Sequence, residues 1–214
     1  MKKIGFTLAE ILIVLSIIGV VASITIPALI SDNKDKVSAS KLSSTITVVE
    51  NAFSQMMINE NAQTFDETNF EETPNANTLG NYLKLTNGDY DWANYSGANT
   101  VSENLGDTAE LKLFQIKNGA LLIWSPDFKS ETEANVINSG GTITEAVAKL
   151  AIDINASESP NVWGRDIFLF AVGNDGVLYP AGGIDYNNIY DENLVCPGAG
   201  CTARLIQNNF VVNY

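Results

Sequence analysis

Residues Phe6 to Ile30 read FTLAEILIVLSIIGVVASITIPALI, an apolar run of 25 residues interrupted by a single charge, Glu10. As an α-helix rising about 1.5 Å per residue it extends about 37 Å, enough to cross a hydrocarbon core of roughly 30 Å with some tilt. The segment is read as a membrane span, and every other feature of the chain has to be compatible with it. Lys2 and Lys3 stand in front of it and belong on the cytoplasmic side. Lys34, Lys36 and Lys41 follow it and weaken the charge asymmetry, although Asp32 and Asp35 offset two of them. The remainder of the chain is expected outside.

Three kinds of N-terminal segment compete for this pattern. A secretory signal peptide has an apolar core of roughly 7–15 residues before a small-x-small cleavage site, and this run is too long. A lipoprotein signal needs a cysteine, and none stands near. A plain membrane anchor explains the length but leaves Glu10 without a reason. A carboxylate within the span costs on the order of 2.5–3.5 kcal/mol at the helix centre and less near the interface, so an intramembrane acid points to function. The bland alternative is a glutamate that snorkels to the cytoplasmic interface.

Gly5-Phe6-Thr7-Leu8-Ala9-Glu10, preceded by Lys2 and Lys3 and followed by the long apolar stretch, resembles the class III signal of type IV prepilins and pseudopilins. The resemblance implies cleavage between Gly5 and Phe6 by a membrane prepilin peptidase and methylation of the new Phe6 amine. It also implies polymerisation through the hydrophobic helix into a type IV pilus or a type II secretion pseudopilus. Glycine suits the scissile position because a side chain there would hold the peptidase away from the backbone. In the family's filament model Glu10 of one subunit pairs with the Phe6 amine of its neighbour. In a low dielectric such a pair sets register more than it glues, since an unpaired charge is expensive there and a paired one tolerable. The implied partners are copies of the chain and other pilins or pseudopilins, the peptidase/methylase, an inner-membrane assembly platform and membrane lipid. The implied course runs from a single-pass inner-membrane precursor to an extracytoplasmic filament. A minor or tip subunit with an adhesive role is the alternative within the same class.

Gly19 and Pro27 punctuate the span. Proline removes one helical hydrogen bond and crowds the preceding turn, so a kink is expected near Ser23 to Pro27. Similar positions in filament-forming relatives mark a stretch that unwinds, whereas an ordinary tolerated membrane-helix proline fits equally well. Beyond the span, Val37, Leu42, Ile46, Val49, Phe53 and Met56 recur mostly every three or four residues, one stripe of an amphipathic helix. One helix is therefore expected from about Phe6 to Glu60. The resulting division is a leader at 1–5, a membrane and assembly helix at 6–30, its amphipathic continuation at 31–63 and a globular head at 64–214. The expected fold class is α+β and pilin-like, with the long helix packed on an antiparallel sheet.

The head has no histidine, as the whole chain has none, which excludes imidazole bases, Ser-His or Cys-His nucleophiles and histidine metal ligands. From Glu60 to Tyr214 there are 21 acidic and 7 basic residues, so the surface repels phosphate backbones and no nucleic-acid partner is expected. Residues 61–107 are rich in Asn, Thr, Asp, Glu and Gly and read as a long loop with one short helix around Thr78 to Leu85. Leu111 to Lys117 alternates, Asn118-Gly119 supplies a turn and Ala120 to Trp124 returns, a β-hairpin. Lys149 to Asn155, Ile167 to Val172 and Val177 to Tyr179 are further strands, and Ala203 to Ile206 with Phe210 to Val212 reads as a final pair.

Cys196 and Cys201 flank Pro197, Gly198 and Gly200, a bendable loop that suits a short disulfide in an oxidising compartment. Free thiols or half of a metal site is the other reading, and the lack of histidine and further cysteines disfavours zinc. The stretches Ile152-Asp153-Ile154-Asn155, Gly164-Arg165-Asp166-Ile167-Phe168 and Asp175-Gly176 also resemble prepilin-type and secretion-type heads. Those often carry glycine where this chain has Ala156, so the turn there is expected to differ. No EF-hand is present, because Glu158 stands where its glycine is required. Asp153, Asn155 and Asp166 are candidates for a noncanonical calcium site, against the plainer reading that they cap turns. No other cofactor is implied. A membrane-anchored carbohydrate-binding or hydrolytic domain using Asp153 and Asp166 with Trp92 and Trp163 is the alternative of a different class, and no spacing in the sequence marks such a pair.

Overall fold

The computed structural model describes residues 5, 7–105, 110–126, 135–137, 143–156, 158–182, 196, 198 and 200–210. A single helix, α1 (Leu8–Glu60), runs for 53 residues and remains helical through Pro27. It stops at Asn61, whose left-handed backbone (φ 54°) turns its N–H back onto the Ile58 and Met57 carbonyls. The apolar stripe behaves as its spacing predicts over most of its length: Leu42, Val49, Phe53 and Met56 are buried and Ile46 is partly buried. Val37 departs from it and is exposed, because it lies roughly opposite Ala39 and Leu42, which the head buries, at about 100° of helix turn per residue.

Six strands form one antiparallel path in the order β1 (Leu85–Asp89), β2 (Lys112–Ile116), β3 (Leu121–Ser125), β5 (Ile143–Asp153), β6 (Ile167–Gly173) and β7 (Leu178–Pro180). The short β4 (Asn135–Ile137) pairs with the start of β5. The expected hairpin is β2–β3, with Leu113 opposite Ile123 and Gly119 at φ +83° in its turn. The expected strands at 149–155, 167–172 and 177–179 correspond to β5, β6 and β7, and β5 begins earlier than its sequence suggests.

Both faces of the sheet are covered. Toward α1, Phe114, Leu122, Trp124, Leu150, Ile152, Phe168 and Phe170 join Phe53, Phe65 and Phe70 in one core. The Phe53 ring lies 4.6 Å from Phe65 and 6.1 Å, edge-on, from Trp124. On the opposite face Leu113, Leu121, Ile123, Ala151 and Ile167 pack beneath Tyr95, Val101, Leu105 and Trp163. That is why β3 is buried at all five positions and reads LLIWS instead of alternating.

Two expectations are corrected. Residues 61–107 are not one loop around a single helix at 78–85. They carry a 3₁₀ turn at Phe65–Glu67, α2 (Asn69–Glu72), α3 (Ala76–Gly80), strand β1, a second 3₁₀ turn at Trp92–Asn94 and α4 (Ala98–Leu105). Their anchors are single apolar residues recruited by the two faces of the sheet, and isolated anchors carry no periodicity to read. The C-terminal strand pair is also absent in its first half: Cys201–Gln207 is a helix, α5, with Cys201, Ala203 and Leu205 buried. Thr202 Oγ1 accepts the Leu169 N–H of β6, so a side chain occupies a sheet donor that another strand would have taken. Val211 and Val212 lie outside the described residues.

Candidate functional site

Three places in the fold carry the residues singled out by sequence. At the N-terminus, Thr7 caps α1 and Glu10 closes a reciprocal box: Glu10 N–H donates to Thr7 Oγ1 (3.3 Å), and Thr7 N–H and Oγ1 donate to Glu10 Oε2 (2.8 Å each). The carboxylate is thereby held at the first turn of its own helix, where the helix dipole favours negative charge. The capping role of Thr7 has a sequence signal, since Thr-x-x-Glu before an apolar run marks a helix N-terminus. Phe6 lies outside the described residues. From Leu8 to Pro27 the helix is long and apolar enough to cross a membrane, and its described side chains are almost all exposed. Its hydroxyls are satisfied within the helix, with Ser16 donating to the Leu12 carbonyl, Ser23 to Val20 and Thr25 to Val21. A Cβ on Gly19 or on Gly5 would meet nothing within 4 Å. Packing within the chain therefore gives no reason for either glycine.

The second place is the end of β5. Asp153 is fully buried; its Oδ2 accepts the Tyr95 hydroxyl (2.8 Å) and its Oδ1 the Asn155 N–H (3.0 Å). Asp166 is buried beside it, accepting the Val162 N–H on Oδ1 and Asn155 Nδ2 on Oδ2 (3.3 Å). Burial pushes the Asp153 carboxyl up to about 7 and moves Asp166 up as well. Burial likewise raises the Tyr95 hydroxyl, with Asp153 adding to it. From α1, Lys41 Nζ donates to the Ile154 carbonyl; burial lowers the lysine, and the charges of Asp153 and Glu158 partly offset this.

The structure thus brings Asp153, Asn155 and Asp166 together, as the calcium reading requires, but uses the oxygens of the two aspartates as acceptors for the Tyr95 hydroxyl, two backbone amides and the Asn155 side-chain amide. Among the described residues no group of three or more acidic or cysteine side chains is arranged to hold a metal ion. Calcium takes six to eight oxygens, and those of the two aspartates are already engaged in hydrogen bonds, whereas Asn155 Oδ1 is buried without a partner among the described residues. Among the described residues Asp153 is covered, and Trp163 is buried with its indole N–H on the Thr100 carbonyl (2.7 Å). The turn carries backbone strain at Ala156, whose φ of 56° is a left-handed conformation that favours glycine.

The third place is the disulfide. Cys196 and Cys201 are bonded, with Cα atoms 5.8 Å apart. Gly198 O would lie 2.7 Å from a Cβ on Gly164, and Gly200 O 1.8 Å from one on Gly182. The cystine loop is thus seated against the Asp166 turn and the chain after β7, and both approaches require glycine.

Comparison with known proteins agrees with this geometry. The prokaryotic N-terminal methylation motif matches residues 1–26. The type II secretion system core protein G of Escherichia coli (strain K12) is 37% identical over 78 residues, which is 36% of this chain and 53% of that protein. The chain thus spans about half the length of the curated relative it matches. No solved structure matches it. The chain is thus similar, over its N-terminal part, to proteins with a prepilin-type methylation motif and to a type II secretion core protein, and its α+β architecture is pilin-like.

Proposed function

We propose that this chain is a structural filament subunit, processed after Gly5, methylated on Phe6 and polymerised through its hydrophobic helix. The observation that carries the reading is the division of α1. Its outer half is the buried spine of the head, whereas Leu8 to Ile30 is apolar and left uncovered by the head. Such a surface needs lipid before assembly and other apolar helices after it. Glu10, held at the first turn of the same helix, supports the reading that its carboxylate pairs with the amine of a neighbouring Phe6. Similarity to a secretion core protein favours the pseudopilus over the pilus.

The test is to shear filaments from cells producing the full chain and to sequence the N-terminus of this protein within them. Mature subunits beginning at methylated Phe6 are expected. Assembled protein that retains residues 1–5, or begins elsewhere, would overturn the reading.

A further inference from the structure

Lys84 and Lys117 are set side by side, the Lys117 N–H donating to the Lys84 carbonyl (2.9 Å), and both are exposed. They border an open groove of about 420 Å³ lined also by Ala76, Gly80, Leu83 and Leu85, and among the described residues no acidic side chain lines it. In a chain of net charge −13, two adjacent lysines facing an unneutralised groove are a local inversion of the surface. Their height on the molecule is fixed by the next two residues. Asn118 Nδ2 donates to Thr45 Oγ1 (2.8 Å), and a Cβ on Gly119 would lie 3.3 Å from Lys41 Nζ, so the groove sits at the membrane-proximal end of the head.

The opposite end carries the other sign. Asp66 and Glu67 stand six and seven residues beyond the end of α1 at Glu60, and both are exposed. The Asp66 N–H is tied to Asn174 Oδ1 (3.1 Å), which fixes this turn on the β6–β7 connection. From Thr45 to Glu60 the spine rises about 22 Å at 1.5 Å per residue, so the two charged regions lie at different heights of one rigid spine.

We infer that the Lys84–Lys117 groove is a docking surface for a second copy of this chain, taking the Asp66–Glu67 turn of the neighbouring head. The inference rests on the filament reading. Subunits joined through parallel N-terminal helices all point the same way, so contacts between heads are heterologous: the lower surface of one head meets the upper surface of another. The lysine groove is on the lower surface and the acidic turn on the upper, so the stagger along the filament axis brings opposite charges together. Like surfaces never meet in such an array, and charge complementarity then selects register as well as partner.

The experiment uses sheared filaments of the full chain. A zero-length carbodiimide is expected to couple Lys84 or Lys117 of one subunit to Asp66 or Glu67 of another, with coupling falling as salt is raised. Lys84→Glu with Lys117→Glu should lower filament yield at least tenfold while leaving the melting temperature of the detergent-solubilised subunit unchanged. Adding Asp66→Lys and Glu67→Lys to the same chain should restore the yield, which a merely structural role for the lysines would not allow. If wild-type filaments form but the lysine reversal leaves their yield intact, or the four-residue swap fails to rescue it, the docking surface is wrong and the filament reading stands. If the wild-type chain forms no filaments, both fall.

Discussion

Asp153 has the most consequential environment of any single side chain in the head. Its carboxyl is raised to about 7 by burial, whereas an unfolded chain leaves it near the ordinary aspartate value, so between about pH 4 and 7 the folded state binds the extra proton. Its contribution to stability is therefore greatest below about pH 4 and is lost as pH rises through 7. Asp166 and Glu50, also raised by burial, act in the same direction. Asp153→Asn keeps the shape and removes the titration. Unfolding midpoints measured from pH 4.5 to 8 should fall with pH in the wild type, and the decline should be clearly shallower in the variant. An identical slope in both would show that the proton resides elsewhere.

Among the elements, the cystine loop and α5 act together. The Cys201 N–H donates to the Gly198 carbonyl, and the Ala203 N–H to the Ala181 carbonyl, so the loop that starts α5 also fastens the chain leaving β7. Replacing both cysteines by serine removes a short closed loop, whose chain-entropy value is about 2 kcal/mol. Denaturant unfolding of the detergent-solubilised chain should register a loss of that order. A change below about 0.5 kcal/mol would mean that the packing against Gly164 and Gly182 holds the segment without the bond. Element boundaries show what a linear pattern can carry. The hairpin β2–β3 was legible because alternation and Asn-Gly are local signals. Strand β1 was not, because Leu-Thr-Asn-Gly-Asp has little strand preference and exists by pairing with β2. Helix α5 was read as strand because seven residues with mixed burial fit either period.

For the molecule as a whole, the decisive prediction concerns Glu10. Glu10→Ala should leave cleavage after Gly5 intact and reduce sheared filaments at least tenfold, read by immunoblot of cell and sheared fractions. The capping box raises a second route to the same loss, through fraying of the first turn. Thr7→Ala separates the two, since it breaks the box but keeps the carboxylate. Filament yield near that of the wild type in Thr7→Ala, together with loss in Glu10→Ala, assigns the effect to pairing between subunits. Normal yield in Glu10→Ala would remove the pairing from the account.

The order of residues was sufficient for the long helix, its membrane-length apolar half, the processing signal, the central hairpin and the cystine, because each is written within a few turns or a few residues of chain. Tertiary structure alone decided that residues 61–105 supply much of the cover for the sheet, that Asp153 and Asp166 accept hydrogen bonds within turns, and that Lys84 and Lys117 border one groove. Those outcomes depend on which distant segments exclude water from one another, and burial of that kind has no local signature along the sequence.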